Sequence, residues 1–310
     1  MIKTLRKKEI QPRFFTYPFL GPSGFVQLHY TEWGPQGSER TVLCVHGLTR
    51  NGRDFDFLAR HLAQQGMRVI APDLPGRGRS DWLPSVNDYA TKTYLSAMTS
   101  LVCRLNVPEI DWVGTSLGGH IGMEFAACEG APVRRLVLND FGARLQGASL
   151  NRLGRNARMA KQFSNMKDLE QHLRTVYQPF GDLTDEQWRH MTEHSSMRTS
   201  DGLYRQNFDP AISVDFMLWP ALIDITLWHV WGKVQCPVFI LRGETSDLLL
   251  SSTVDRMKER GAAAAHGLVE SVEIANCGHA PALMNLEQVQ LIEEFLTRND
   301  AQAVAKRASA

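Results

Sequence analysis

The sequence predicts an α/β fold, a mostly parallel twisted sheet flanked by helices with a helical cap inserted between two core strands. Three observations carry this prediction. Short apolar runs alternate with amphipathic helical patterns through the first half of the chain, as expected of parallel strands joined by crossover helices. The alternation stops near residue 142, gives way to a charged block of helical pattern, and resumes as a strand at 237–242. Between a strand pattern and a helix pattern stands Gly114-Thr-Ser-Leu-Gly118.

Residues 13–17 and 25–32 are expected to pair as an antiparallel edge, with Gly21-Pro-Ser-Gly24 as the turn. Buried strands are expected at 41–45, 68–71, 110–113 and 135–139. Between the first two, Phe55, Leu58, Ala59 and Leu62 recur at helical spacing and Gly66 supplies a left-handed stop. Further helices are expected at 90–105 and 117–128. After the middle block come strands at 237–242 and 269–274, then a helix at 286–297 with Asn285 and Gln288 as its cap pair. A second independent domain is the bland reading of the block. An insertion is preferred because the sheet pattern resumes beyond it. The layout is a core over 1–142, a cap over 143–233, a second core segment over 234–300 and a frayed tail over 301–310.

Composition removes several function classes. A chain of 310 residues can bury a large core. Its 34 Lys+Arg against 33 Asp+Glu leave a net charge of +1, too little for a mechanism resting on a strong overall field, so neither nucleic acid nor an anionic membrane is expected as a partner. The five cysteines are an odd count with no C-x-x-C pair, which points to a reduced, cytoplasmic chain. The start of the chain is basic (Lys3, Arg6, Lys7, Lys8) but has no apolar core of a secretory signal, and no run approaches the roughly 18 apolar residues of a membrane span. Nothing in the sequence speaks to oligomeric state.

The glycine-flanked serine carries the chemistry. A strand, a sharp turn and a helix would hold Ser116 above the sheet at a helix N-terminus, where free amides and the helix dipole favour developing negative charge. Gly114 and Gly118 allow the turn to pass close to neighbouring backbone. A serine hydroxyl needs a base to take its proton and a third group to orient that base. His279, in Asn276-Cys-Gly-His-Ala-Pro281 after the last strand, is the candidate base. His46 and His120 are read as structural. Asp247, in the loop after the strand that precedes the histidine, is the favoured acid; Asp140, at the end of strand 135–139, and Glu244 are its rivals.

The order Ser116, Asp247, His279 on this alternation resembles the α/β-hydrolase superfamily, as a capped serine esterase-like member, over residues 26–296. Two further segments support the resemblance. His46-Gly-Leu-Thr-Arg-Asn-Gly52 looks like the family's oxyanion loop, and Asp73-Leu-Pro-Gly-Arg-Gly-Arg-Ser80 looks like the loop after the following strand. The resemblance implies an oxyanion hole from the backbone N–H groups of Leu48 and Leu117, with His46 and Gly47 as the supporting loop. Arg50 and Asn51 are candidates for the entrance or for a solvated turn, and Arg77 and Asp81 for structural charges.

A serine at the elbow disfavours the carboxylate chemistry of dehalogenases and epoxide hydrolases. The expected activity is hydrolysis of a small or medium carboxylic ester through an acyl-enzyme, with a lactone, a thioester or a hydroxyalkanoate oligomer as subclasses. The alternatives are a carbon–carbon bond hydrolase, acyltransferase or perhydrolase, and a ligand-binding receptor on the same fold. The only partners expected are the ester and water. No cofactor or metal site is expected: phosphate and dinucleotide glycine patterns are missing, and His190-Met-Thr-Glu-His194 shows no third ligand. Met159, Phe163, Met166, Tyr177, Trp188, Tyr204, Phe208, Phe216, Met217, Leu218, Trp219, Trp228 and Trp231 could wall a pocket or form the cap's own core. Arg198, Arg205 and Asp209 could meet a polar substrate group or water.

Overall fold

A computed structural model describes residues 10–158, 161–214 and 218–298. The expected tail at 301–310, the basic residues at the start of the chain, and Met159, Phe216 and Met217 lie outside the described residues.

Strands β1 (Arg13–Gly21) and β2 (Gly24–Trp33) pair antiparallel, with Gly21 opposite Gly24 at the turn. They form one side of an eight-stranded sheet with β3 (Thr41–Val45), β4 (Arg68–Asp73), β5 (Ile110–Thr115) and β6 (Val133–Asn139). The chain then makes four short strands, β7 (Arg144–Leu145), β8 (Ser196–Arg198), β9 (Tyr204–Gln206) and β10 (Ile225–Thr226), before returning to the sheet as β11 (Val238–Gly243) and β12 (Val269–Ile274). The order across the sheet is β1-β2-β4-β3-β5-β6-β11-β12. β2 meets β4 antiparallel, and every pairing from β4 to β12 is parallel.

Both faces of the parallel region are covered, which is why its strands are continuous apolar runs and not alternating ones. Val42, Cys44, Val69, Val113, Val137 and Leu241 face α1 (Asp56–Gln64) and the last helix, whose Leu58, Leu62, Ile292 and Phe295 share one cluster with them. Leu43, Val45, Ile70, Trp112, Leu136 and Ile240 belong to the opposite cluster with α2 (Thr91–Leu105) and α3 (Leu117–Ala126).

The segment between β6 and β11 carries α4 (Gly147–Arg158), α5 (Met166–Val176), α6 (Asp185–Ser195) and α7 (Trp228–Trp231). β7 pairs with β10 and closes its base. Leu169, Leu173, Tyr177, Trp188 and Met191 form a separate small core there, joined by Met284 of the second core segment. Leu227, Val230 and Trp231 instead pack into the main core. After β11 come α8 (Ser251–Glu259), α9 (Ala262–Ala265) and α10 (Leu286–Thr297). Asn285 caps α10 by accepting from the Gln288 N–H, while the Gln288 side chain turns to the Leu283 N–H.

The parallel strands bring their C-terminal ends to one edge. There β3 leads into Gly47, β5 into Ser116, β6 into Asp140, β11 into Ser246 and β12 into His279, the place where open α/β sheets bind ligands. The contact between β3 and the turn after β5 is too close for a side chain. A Cβ at Gly118 would lie 1.9 Å from the Val45 carbonyl oxygen, and one at Gly114 would lie 2.3 Å from the Gly118 oxygen. Gly118→Ala is therefore expected to destabilise the fold by about 1–3 kcal/mol or more in urea unfolding, since only backbone movement can relieve the overlap.

Candidate active site

Ser116 occupies a backbone conformation that L residues rarely adopt, with φ 52° and ψ −112°. Such a conformation costs about 1–3 kcal/mol and persists only when its surroundings impose it. Here the Ser116 N–H donates to the Asn139 carbonyl at 3.0 Å, and its own carbonyl accepts from the His120 N–H at 2.9 Å. The turn thus hangs between β6 and the first turn of α3.

From this position the Ser116 Oγ–H donates to His279 Nε2 at 2.8 Å. His279 Nδ1–H donates to Asp140 Oδ2 at 2.6 Å; a carboxylate can only accept, which fixes the tautomer. Asp140 is fully buried and has a left-handed backbone, φ 54°. Its Oδ1 accepts from the Gly243 N–H at 2.9 Å and its Oδ2 also accepts from the Ser246 hydroxyl at 2.6 Å. A hydroxyl, a neutral imidazole and a buried carboxylate in one chain of hydrogen bonds can pass a proton from oxygen to nitrogen while stabilising the resulting imidazolium.

The acid favoured by the sequence is not the one brought to the histidine. Asp247 is half-exposed and forms a fork with the Arg152 guanidinium of α4, with Nη2 to Oδ1 at 3.0 Å. Burial works against ionisation at Asp247, but the hydrogen bond and charge of Arg152 outweigh it and hold the carboxyl below its ordinary range. Glu244 is also elsewhere, accepting from the Asn276 N–H. β6 and β11 are parallel neighbours, so a residue at the end of either can reach the same histidine; Asp140 reaches it directly, and Asp247 lies further along a loop that turns to the cap.

The oxyanion-loop residues are held from behind. His46 is buried; its Nε2 accepts from the Leu74 N–H at 2.9 Å, so Nδ1–H is the donor to the Gly47 carbonyl at 2.8 Å. The Arg50 N–H donates to that same carbonyl. In a trans peptide the N–H lies opposite the C=O, so fixing the Gly47 oxygen also fixes the Leu48 N–H. Buried Arg77 grips the next peptide by donating Nε–H to the Leu48 carbonyl at 2.9 Å. Asp81 ties the loop after β4, which carries Arg77, to β2 by accepting from the Gln27 N–H. Leu117 is the first residue of α3, where an N–H has no acceptor within its helix. His120 stacks on Phe141 and faces Glu124 at 3.5 Å.

A cavity of about 320 Å³ opens at Ser116 and His279, at the small end of the roughly 300–1,000 Å³ typical of small-molecule sites. Leu48, Tyr177, Phe180 and Phe208 supply much of its apolar wall. A smaller apolar hollow of about 60 Å³ also reaches Ser116, between Leu117, Leu150 and Leu227. Of the expected pocket residues, Tyr177 and Phe208 line the larger space, whereas Trp188 stays in the cap core, Trp231 in the main core, and Leu218 is exposed. Phe180, Thr49 and Gln206 were not singled out by sequence; the Tyr177 hydroxyl gathers the last two, at 2.8 and 2.9 Å. Arg50 is a cavity residue and not a solvated turn, paired through Nε and Nη2 with Asp54. Asp209 accepts from the Tyr89 hydroxyl and the Ala211 N–H, and Arg205 lies over the Trp82 ring.

The missing third ligand beside His190 and His194 is present in three dimensions: Asp56 at the start of α1 lies within 4.8 Å of both rings. Its carboxylate is already held by Arg53, at 2.8 and 2.5 Å, and His190 Nε2–H donates to the Arg53 carbonyl. A cation there would have to displace a guanidinium from the carboxylate, so the group fits a cap-to-core clasp better than a metal centre.

A family model described as the alpha/beta hydrolase family matches residues 42–291. The chain belongs to the alpha/beta hydrolase family. It is 38% identical to a 3-hydroxybutyrate-oligomer hydrolase of Cupriavidus necator, over 92% of this chain and 98% of the relative. A crystal structure of an alpha/beta hydrolase from Novosphingobium aromaticivorans superposes with a TM-score of 0.80 at 29% identity, covering 94% of this chain and 99% of that one. A serine hydrolase-like protein of Dictyostelium discoideum is 27% identical over 69% of this chain and 62% of its own length. Among the described residues no helix is long and apolar enough to cross a membrane.

Two outcomes follow from the hydrogen bonding. Asp140→Asn is expected to lower kcat by about 10⁴, the scale seen when an orienting carboxylate becomes an amide, while Asp247→Asn stays within a few-fold of the parent enzyme. Both variants can be assayed with p-nitrophenyl butyrate. Burial pushes His46 down to about 4, and burial together with the charges of Arg53 and His190 pushes His194 down to about 4. Between pH 4 and the ordinary histidine value of 6.5 each of these two rings binds more protons in the unfolded chain than in the folded one, so the stability they contribute is full above that window and is lost as pH falls through it, while Asp111, which burial raises to about 6, works in the opposite sense. Urea unfolding at several pH values should show His46→Gln lowering the slope of stability against pH in that window by up to one proton relative to the parent protein.

Proposed function

We propose that this hydrolase cleaves small or medium carboxylic esters through an acyl-enzyme, with Ser116 as nucleophile, His279 as general base and acid, and Asp140 as the orienting carboxylate. The observation that carries the reading is the unbroken path Ser116 Oγ, His279 Nε2, His279 Nδ1, Asp140 Oδ2 at the floor of a cavity.

In the first half of the reaction His279 Nε2 accepts the hydroxyl proton as Ser116 Oγ bonds to the ester carbonyl carbon. The negative charge on the carbonyl oxygen is met by the N–H groups of Leu48 and Leu117, a type of contact worth about 2.7–4 kcal/mol for each donor. The tetrahedral adduct then breaks its bond to the alcohol oxygen, which takes the proton from His279. Water repeats the sequence: it loses its proton to His279, attacks the acyl carbon, and the acid departs as Ser116 regains its proton. Asp140 stays ionised and holds the ring in the tautomer with Nδ1–H toward itself. The strained backbone at Ser116 and the braced peptide at Leu48 prepare the geometry before substrate arrives.

Likeness along nearly the whole of a 3-hydroxybutyrate-oligomer hydrolase supports short hydroxyalkanoate oligomers as the substrate within this class. The cavity volume suits chains of a few units better than a long polymer. The five unbridged cysteines support a reducing, cytoplasmic setting. Purified protein should hydrolyse p-nitrophenyl butyrate and the 3-hydroxybutyrate dimer and trimer, and Ser116→Ala and His279→Ala should each lose at least about 10³ in kcat. Unchanged turnover in either variant would remove the assignment.

A further inference from the structure

We propose that the catalytic cavity selects esters whose leaving alcohol carries a free carboxylate, and that Lys161 is the residue that recognises that charge. The proposal rests on the ester-hydrolase reading above and adds to it a substrate polarity and an orientation.

The wall of the cavity is electrically one-sided. Among the described residues that line it are Arg50, Lys161, His172 and His279, and no aspartate or glutamate. The Arg50 charge is balanced at its source, because Asp54 accepts from both Nε and Nη2. Lys161 forms no ion pair among the described residues, and it is an exposed lining residue from the segment between β6 and β11. Its ammonium lies near His172 of α5: burial and then the Lys161 charge both oppose protonation of that ring. The wall thus presents one uncompensated positive charge together with neutral hydrogen-bonding groups, Asn156 and Thr175 among them.

A neutral alkyl ester gains nothing from an ammonium in the wall. A substrate with an anion at its far end gains an ion pair, and binding it leaves the ester carbonyl at Ser116. In an oligomer of a hydroxy acid the one free carboxylate belongs to the last unit, which is the alcohol side of the terminal ester. Holding it at Lys161 orients the chain with its leaving alcohol toward the cap. Cleavage breaks the acyl carbon to oxygen bond, His279 delivers its proton to that oxygen, and the carboxylate-bearing hydroxy acid departs. The acyl portion stays on Ser116 for hydrolysis.

The test compares 3-hydroxybutyrate dimer and trimer as free acids with their methyl esters, in which a neutral ester replaces the terminal charge; release of 3-hydroxybutyrate or of its methyl ester is followed, so that cleavage of the inner ester alone is counted and loss of methanol is not. In the parent enzyme kcat/KM should favour the free acids by about two- to fivefold, the scale of a solvent-exposed ion pair. The ratio should shrink as salt is added. Lys161→Gln should bring the acid-to-methyl-ester ratio close to one, and Lys161→Glu should invert it, chiefly through KM of the acids. A ratio near one in the parent enzyme, or a ratio unchanged in Lys161→Gln, overturns the proposal. Turnover of p-nitrophenyl butyrate that depends on Ser116 is measured alongside; its absence would sink the ester-hydrolase reading itself, whereas its presence with no acid preference sinks only the role of Lys161.

Discussion

The buried carboxylate of Asp140 is the junction on which the site depends. Placing a charge where no water reaches is costly unless donors replace the water, and three do: the Gly243 N–H, the Ser246 hydroxyl and His279 Nδ1–H. They come from the end of β11, the loop after it and the loop after β12. One side chain from the end of β6 therefore ties three consecutive strands together at the edge where the serine turn emerges. The histidine is oriented by the same contact that satisfies the buried charge, so the stability of this edge and the geometry of the proposed chemistry have a common origin.

The second constraint is close backbone approach. Gly114 and Gly118 let the serine turn fit between β3 and α3, and the turn then forces Ser116 into its left-handed conformation. On the other side of the cavity, His46, Arg50 and Arg77 fix successive peptide groups of the loop after β3. These interactions are polar and buried, and they precede substrate. The proposed catalytic power lies in that preparation, because donors that are already aimed need not reorganise as charge develops.

Much of this was legible in the sequence where the cause is local. Buried strands such as 41–45 and 110–113 announce themselves as apolar runs, and the serine turn as glycines at fixed offsets between strand and helix. His279 was readable because it follows the last strand. The acid was not, since the choice between Asp140 and Asp247 turns on which strands are neighbours and how a loop bends, and both residues follow strands that end at the same edge. One local signal did favour Asp140: it sits directly after an apolar run, in a place where a left-handed aspartate is tolerated. The third member of the Asp56, His190, His194 clasp, and the cavity residues Phe180 and Gln206, come from segments far apart in the chain, where no periodicity or spacing could join them.

The central claim is that His279 is held by Asp140 and by no other carboxylate. Proton NMR of the parent protein tests it most directly, because a nitrogen-bound proton in a short hydrogen bond to a buried carboxylate resonates far downfield of the amide region. The account predicts one such signal from His279 Nδ1–H that disappears in His279→Ala and Asp140→Asn and persists in Asp247→Asn. A downfield signal that survives Asp140→Asn, or that is lost in Asp247→Asn, would contradict it.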